Sequence, residues 1–105
     1  MHVQVVNFQL EGLSVRDYGT LCDDLTPVFA GLPGLVAKIW LADPSANTFG
    51  GVYLWQDRKA MEDFKKTDLF RSVVSHPNLA NLNSRDFAVM EGPTRATRGL
   101  LEVGV

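Results

Sequence analysis

Asn7, Trp40, Tyr53, Trp55 and His76 are the residues whose chemistry could serve a small-molecule site. Trp and Tyr offer flat apolar walls with hydrogen-bonding tips, and an amide held on a strand can orient an oxygen atom of a bound molecule. Histidine titrates near neutrality and is the natural candidate for a base. Combined, such groups would bind a small aromatic molecule through Trp40, Tyr53 and Trp55, with Asn7 and His76 acting on it.

Each also has a structural use. The aromatic residues favour strands and interfaces in any case. His76, directly before Pro77, could bond to the last carbonyls of a helix. Asn7 lies among aliphatic neighbours, where an amide needs either a buried network or a polar cavity. Lys38 reads as a pairing residue across the sheet or a dimer seam, with substrate binding as the alternative. Arg95 and Arg98 could clamp an anion or simply be solvated. Asp23 and Asp24, adjacent on a helix, point apart and form no carboxylate pair. Two histidines at distant positions and a single cysteine, Cys22, give no metal-ligand spacing and no intrachain disulfide.

The elements that must position these groups alternate along the chain. Val3 to Leu10 reads as a strand with Val6, Phe8 and Leu10 on one face and Val3, Val5, Asn7 and Gln9 on the other. Ser14 caps a helix carrying Tyr18, Leu21, Leu25 and Val28, whose end Pro27 should distort or shorten. Gly31, Pro33 and Gly34 lead to a strand from Leu35, in which Lys38 and Trp40 share a face. Asp43 to Asn47 supplies turn chemistry, and Gly50 to Trp55 returns as the second arm of a hairpin. Asp57 caps a helical region with Met61, Phe64, Leu69, Val73 and Val74 as its stripe; Thr67-Asp68 restarts a turn within it, and Pro77 marks its end. A last strand is expected around Arg85 to Met90, followed by a tail over 92–105. The order is βαββαβ: a ferredoxin-like α+β fold with a four-stranded antiparallel sheet and both helices on one face.

The chain has 105 residues, enough for one domain over 1–105 with a core of about 3–91. A formal charge of -2 with dispersed Lys and Arg argues against general nucleic-acid binding. No apolar run is long enough for a bilayer, and the first residues lack a signal-peptide pattern, so the expected location is the cytoplasm. Apolar residues on both faces of several strands leave one side of the sheet needing cover, which a homodimer through the open sheet face would provide.

GLVAKIWLAD, GGVYLWQD with the helix after it, and RDFAVMEGPTRATRG resemble the YdhR-like family of proposed monooxygenases in the dimeric α/β-barrel superfamily. The resemblance runs from about Val3 to Gly99. It implies a homodimeric α/β barrel with a cavity between sheet and helices in each subunit. It also implies, by analogy with wider relatives, a cofactor-independent monooxygenase that acts with dioxygen on a small phenolic or quinol-like substrate, without metal or organic cofactor. Asn7 would then orient a carbonyl or peroxide oxygen and His76 would be the base.

Two other functions fit the same pattern. A non-catalytic dimeric module could hold a small hydrophobic or aromatic ligand in that cavity without activating it. LWQDRKAMEDFKKTDLFRSVVSH is distantly similar to a helix of IsdG-like haem oxygenases, which use an Asn, a Trp and an axial His. Asn7 suits the first role, but Phe64 stands at the Trp position and Val74 at the ligand position, with His76 two residues later.

Overall fold

Period-two patterning in the first ten residues and again after Gly34 produces extended chain whose successive side chains part to opposite faces. The computed structural model describes residues 1–99. It contains β1 (His2–Leu10), α1 (Val15–Ala30), β2 (Leu35–Asp43), β3 (Thr48–Trp55), α2 (Arg58–Lys65), α3 (Asp68–Val74), β4 (Leu79–Ala88) and α4 (Glu91–Ala96). The strands form one antiparallel sheet in the order β2-β3-β1-β4, the ferredoxin-like arrangement.

Side-chain caps start the helices where the sequence places them. Ser14 accepts from the Asp17 amide at 3.0 Å, Asp57 from the Ala60 amide at 2.8 Å, and Thr67 from the Phe70 amide at 3.2 Å. The β2–β3 hairpin closes through a short 3-10 turn at Pro44–Ala46, with Asn47 in the left-handed conformation at φ 46°.

Two expectations need correction. Pro27 does not shorten α1, which continues to Ala30. Proline lacks the amide that would have reached back to the Asp23 carbonyl, and one residue earlier the Thr26 hydroxyl donates to the Cys22 carbonyl at 2.9 Å. Continuing the helix carries Phe29 into the core, where it is 3 % exposed. The last strand runs over Leu79–Ala88 rather than from Arg85 to Met90. Its early part escapes a period-two reading because the pairing with β1 shifts between Asn7 and Gln9, and Asn81 lies at φ 54°. That irregularity lets both Leu79 and Leu82 pack toward the core. The tail also begins with structure, α4, which starts at Glu91. Residues 100–105 of the expected tail lie outside the described residues.

The two faces of the sheet differ sharply. Val6 and Phe8 of β1 and Phe49, Tyr53 and Trp55 of β3 turn to the helices and join Tyr18, Phe29, Met61 and Phe64 in one core. The opposite face carries Val3, Val5, Ala37, Ile39, Val52, Leu54 and Phe87, with Ile39 61 % and Phe87 54 % exposed. Gly50 permits close approach of the β1 and β3 backbones: its φ is 144°, and a β-carbon there would strike the Val6 carbonyl.

Candidate functional site

Pairing across the β2–β3 ladder decides which strand residues meet the helices. Lys38 is opposite Tyr53 and Trp40 is opposite Gly51, so both β2 side chains take the helix-facing side. Phe29 of α1 descends between them, edge-on to Trp40 at 5.4 Å and 80°, and 6.0 Å from the Tyr53 ring. Lys38 Nζ sits among these rings, 3.3 Å from the Trp40 centroid, 3.4 Å from Phe29 and 4.6 Å from Tyr53. Cation–π attraction holds it there. Among the described residues Lys38 has no ion pair or side-chain hydrogen bond.

A cavity of about 40 Å³ opens beside this ammonium, walled by Tyr18, Phe29, Trp40 and Tyr53 and reached by Cys22. Its environment shifts three titratable groups. Burial pulls the Lys38 ammonium down to about 7, a fall that the neighbouring Cys22 opposes. Burial raises the Tyr18 phenol far above its ordinary value, reinforced by Cys22, and burial likewise raises that of Tyr53. The tyrosines are therefore neutral donors at physiological pH, whereas Lys38 exchanges between charged and neutral forms. Such an amine can take a proton or face an anion.

A hollow of about 380 Å³ beside the β2–β3 hairpin is lined by Asn7, Leu41, Asp43 and Thr48 and lies away from the rings, and two other larger hollows lack this character too. One of about 300 Å³ lies beside Trp55 and Gly34, and its charged and hydroxyl side chains are engaged with one another or with helix ends. Asp57 and Thr67 cap helices, and Lys59 pairs with Asp63 at 2.7 Å. The other, about 390 Å³, lies on the open sheet face against Ile39, Leu54 and Met90 and is largely apolar.

The sequence-derived candidates thus separate. Trp40 and Tyr53 meet at the cavity. Trp55 lies farther along β3, fully buried, stacked on Tyr53 at 6.0 Å with an interplanar angle of 1°. Its indole N–H donates to Gln4 Oε1 at 3.0 Å, and Gln4 Nε2 donates to Ser84 Oγ at 3.0 Å, so a buried polar chain consumes the Trp55 tip. Asn7 projects from the opposite face, and its amide donates to the Phe49 carbonyl at 3.4 Å. His76 follows α3, where Nδ1 accepts from the Asn78 amide at 3.1 Å. The structure does not bring Asn7 or His76 together with the aromatic pair. Arg95 pairs with Glu91 at 3.3 Å on the exposed side of α4. Lys38, read from the sequence first as a pairing residue across the sheet or a dimer seam, stands instead among the rings. The signal was its spacing from Trp40: a tryptophan that turns inward takes a lysine two residues earlier with it.

The sequence matches the family described as "Putative mono-oxygenase ydhR" over residues 3–100. The chain belongs to this family. No curated protein matches the sequence. Among solved structures, the ydhR-family chain is similar to a candidate antibiotic biosynthesis monooxygenase from Deinococcus radiodurans, at TM-score 0.70 and 14% identity, covering 87% of this chain and 94% of that one. It is similar to SnoaB, a cofactor-independent oxygenase from Streptomyces nogalater, at TM-score 0.66 and 18% identity, covering 86% and 94%. It is also similar to the heme-degrader MhuD from Mycobacterium tuberculosis, at TM-score 0.68 and 12% identity, covering 86% and 96%. At these identities the likeness is one of fold, and one fold carries several chemistries. Among the described residues no histidine lines this cavity, so it offers no imidazole to a haem iron, and His76 stands apart from it with Nδ1 accepting from the Asn78 amide. No helix among the described residues is long and apolar enough to cross a membrane.

Proposed function

We propose that this ydhR-family protein is a cofactor-independent monooxygenase acting with dioxygen on a small, single-ring phenolic or quinol-like substrate. The observation that carries this reading is the aromatic-walled cavity between helices and sheet, with one amine among its rings and no carboxylate in the wall. SnoaB, of the same fold, is a cofactor-independent oxygenase, which supports the assignment.

The chemistry asks little of the protein. A substrate deprotonated to an electron-rich anion passes an electron to dioxygen. Recombination at carbon gives a hydroperoxide, and loss of water leaves a carbonyl. One oxygen atom enters the product, and the other leaves in water with the two hydrogens of the substrate. The protein binds the ring, orients it and stabilises the anion. Trp40 and Tyr53 are the ring contacts in this reading, and Trp55 supports Tyr53 from behind.

A homodimer completes the proposed assembly, two copies packing open face to open face. Ile39, Phe87 and Met90, the last 74 % exposed, leave large apolar side chains uncovered, and a second copy would cover those of the open face.

Oxygen consumption with reduced phenols and hydroquinones, product mass being followed alongside, tests the enzymatic reading. Consumption with a product one oxygen atom heavier and two hydrogens lighter is expected. Tight binding with no consumption would instead favour a ligand-holding module.

A further inference from the structure

Lys38 breaks the pattern of its surroundings. It sits on a strand, on the side facing the core, while its neighbours Ala37 and Ile39 face outward and Ile39 is 61 % exposed. An ordinary surface lysine would occupy the Ile39 side. Every close partner of its ammonium is a ring face, of Phe29, Trp40 or Tyr53. The titratable groups facing it are Tyr18 and Cys22 from α1 and Tyr53 from β3, while α3 contributes Val73 and β4 contributes Leu79. None of these is a carboxylate, so a positive charge here has no fixed counter-charge. Ring faces offset only part of the lost hydration of an ammonium, and an oxyanion would offset more.

We propose that Lys38 binds the acidic hydroxyl of the substrate as an oxyanion, so that the cavity takes single-ring phenols or enols in their ionised form with the lysine ammonium as the counter-charge. The proposal rests on the reading of this cavity as the substrate site. In the neutral state the amine accepts the hydroxyl proton: the substrate O–H bond breaks, an N–H bond forms, and phenol plus amine become phenolate plus ammonium. Burial holds the lysine near neutrality, so both forms are present at physiological pH. The neutral phenols of Tyr18 and Tyr53 are not competing anions. The cavity of about 40 Å³ is smaller than a phenol ring, so binding in this proposal requires Trp40, partly exposed on the edge strand β2, to move aside while Lys38 stays to face the oxygen.

Binding of 4-nitrophenol and of its methyl ether 4-nitroanisole to the full chain, measured without dioxygen, tests this directly because the phenolate has its own absorption band. At slightly acidic pH, where free 4-nitrophenol is largely protonated, the bound molecule is expected to show the phenolate band. Lys38→Met should weaken 4-nitrophenol binding about tenfold or more, leave 4-nitroanisole unchanged, and abolish the band. Lys38→Arg, which keeps a charge, should retain it. Circular dichroism establishes that each variant is folded. Failure of the wild type to bind 4-nitrophenol, a bound neutral phenol, or equal affinity in Lys38→Met would overturn the proposal. Phenolate binding without oxygen consumption in any assay would leave it standing and remove the oxygenase reading.

Discussion

Gly51 lies beneath the Lys38 stem: a β-carbon at residue 51 would stand 2.9 Å from Lys38 Cε, 3.3 Å from the Ile39 carbonyl oxygen and 3.4 Å from Tyr53 Cε1. The missing side chain on β3 is what allows the lysine of β2 to cross the sheet toward Phe29. Gly51→Ala should therefore push Lys38 out of the ring cluster. Crowding of the backbone and Tyr53 should cost about 1–2 kcal/mol in urea unfolding, and 4-nitrophenol binding should fall with it. Retained binding would separate the glycine from the lysine.

Lys38 should also make stability depend on pH. Its folded-state value lies near 7, below the ordinary 10.5 of an unfolded lysine. Between those values the unfolded chain binds the extra proton, so stability rises as pH increases from about 7 toward 10.5. The penalty for burying the charge is fully present below pH 7. Lys38→Met should flatten that rise and, at pH 6, stabilise the protein by about 1 kcal/mol. This is the desolvation relieved, reduced by solvent screening at a partly exposed site and by the forgone attraction of the rings. Thermal unfolding across this pH range measures it. A lysine whose removal both raises stability and weakens phenol binding would be one retained for function.

Trp55 should behave differently. Trp55→Phe deletes the donor that satisfies Gln4 Oε1 in the buried chain Trp55–Gln4–Ser84. An unpaired buried carbonyl oxygen costs about 1–3 kcal/mol. The loss should appear in urea unfolding, and adding Gln4→Leu should recover part of it, because both polar partners are then gone.

The open face predicts assembly. Ile39→Glu places a carboxylate within the apolar patch formed with Val52, Leu54 and Phe87. Sedimentation should show the wild type as a dimer and the variant as a monomer with native circular dichroism. A monomeric wild type would remove the proposed dimer.

The order of elements was legible because strands and helices differ in period, and Ser14, Asp57 and Thr67 mark helix starts by chemistry that needs no tertiary context. The first half of β4 was not, since Asn81, Asn83 and Ser84 carry no apolar alternation and the bulge breaks parity. The site was half legible. Trp40 and Tyr53 were named, and strand parity tied Lys38 to Trp40, but which face meets the helices is fixed by pairing between β2 and β3. For the same reason Asn7, an inviting amide by type, lies across the sheet from the rings. His76 follows α3, and its bond to the Asn78 amide reflects the turn around Pro77 rather than the cavity.

The most direct test follows labelled dioxygen into a single-ring hydroquinone or phenol with the wild type, Asn7→Ala and Lys38→Met. One labelled oxygen atom per product is predicted for the wild type and for Asn7→Ala, with a rate lower by about 100-fold in Lys38→Met. Absence of labelled product from the wild type across such substrates, or full activity in Lys38→Met with loss in Asn7→Ala, would contradict it.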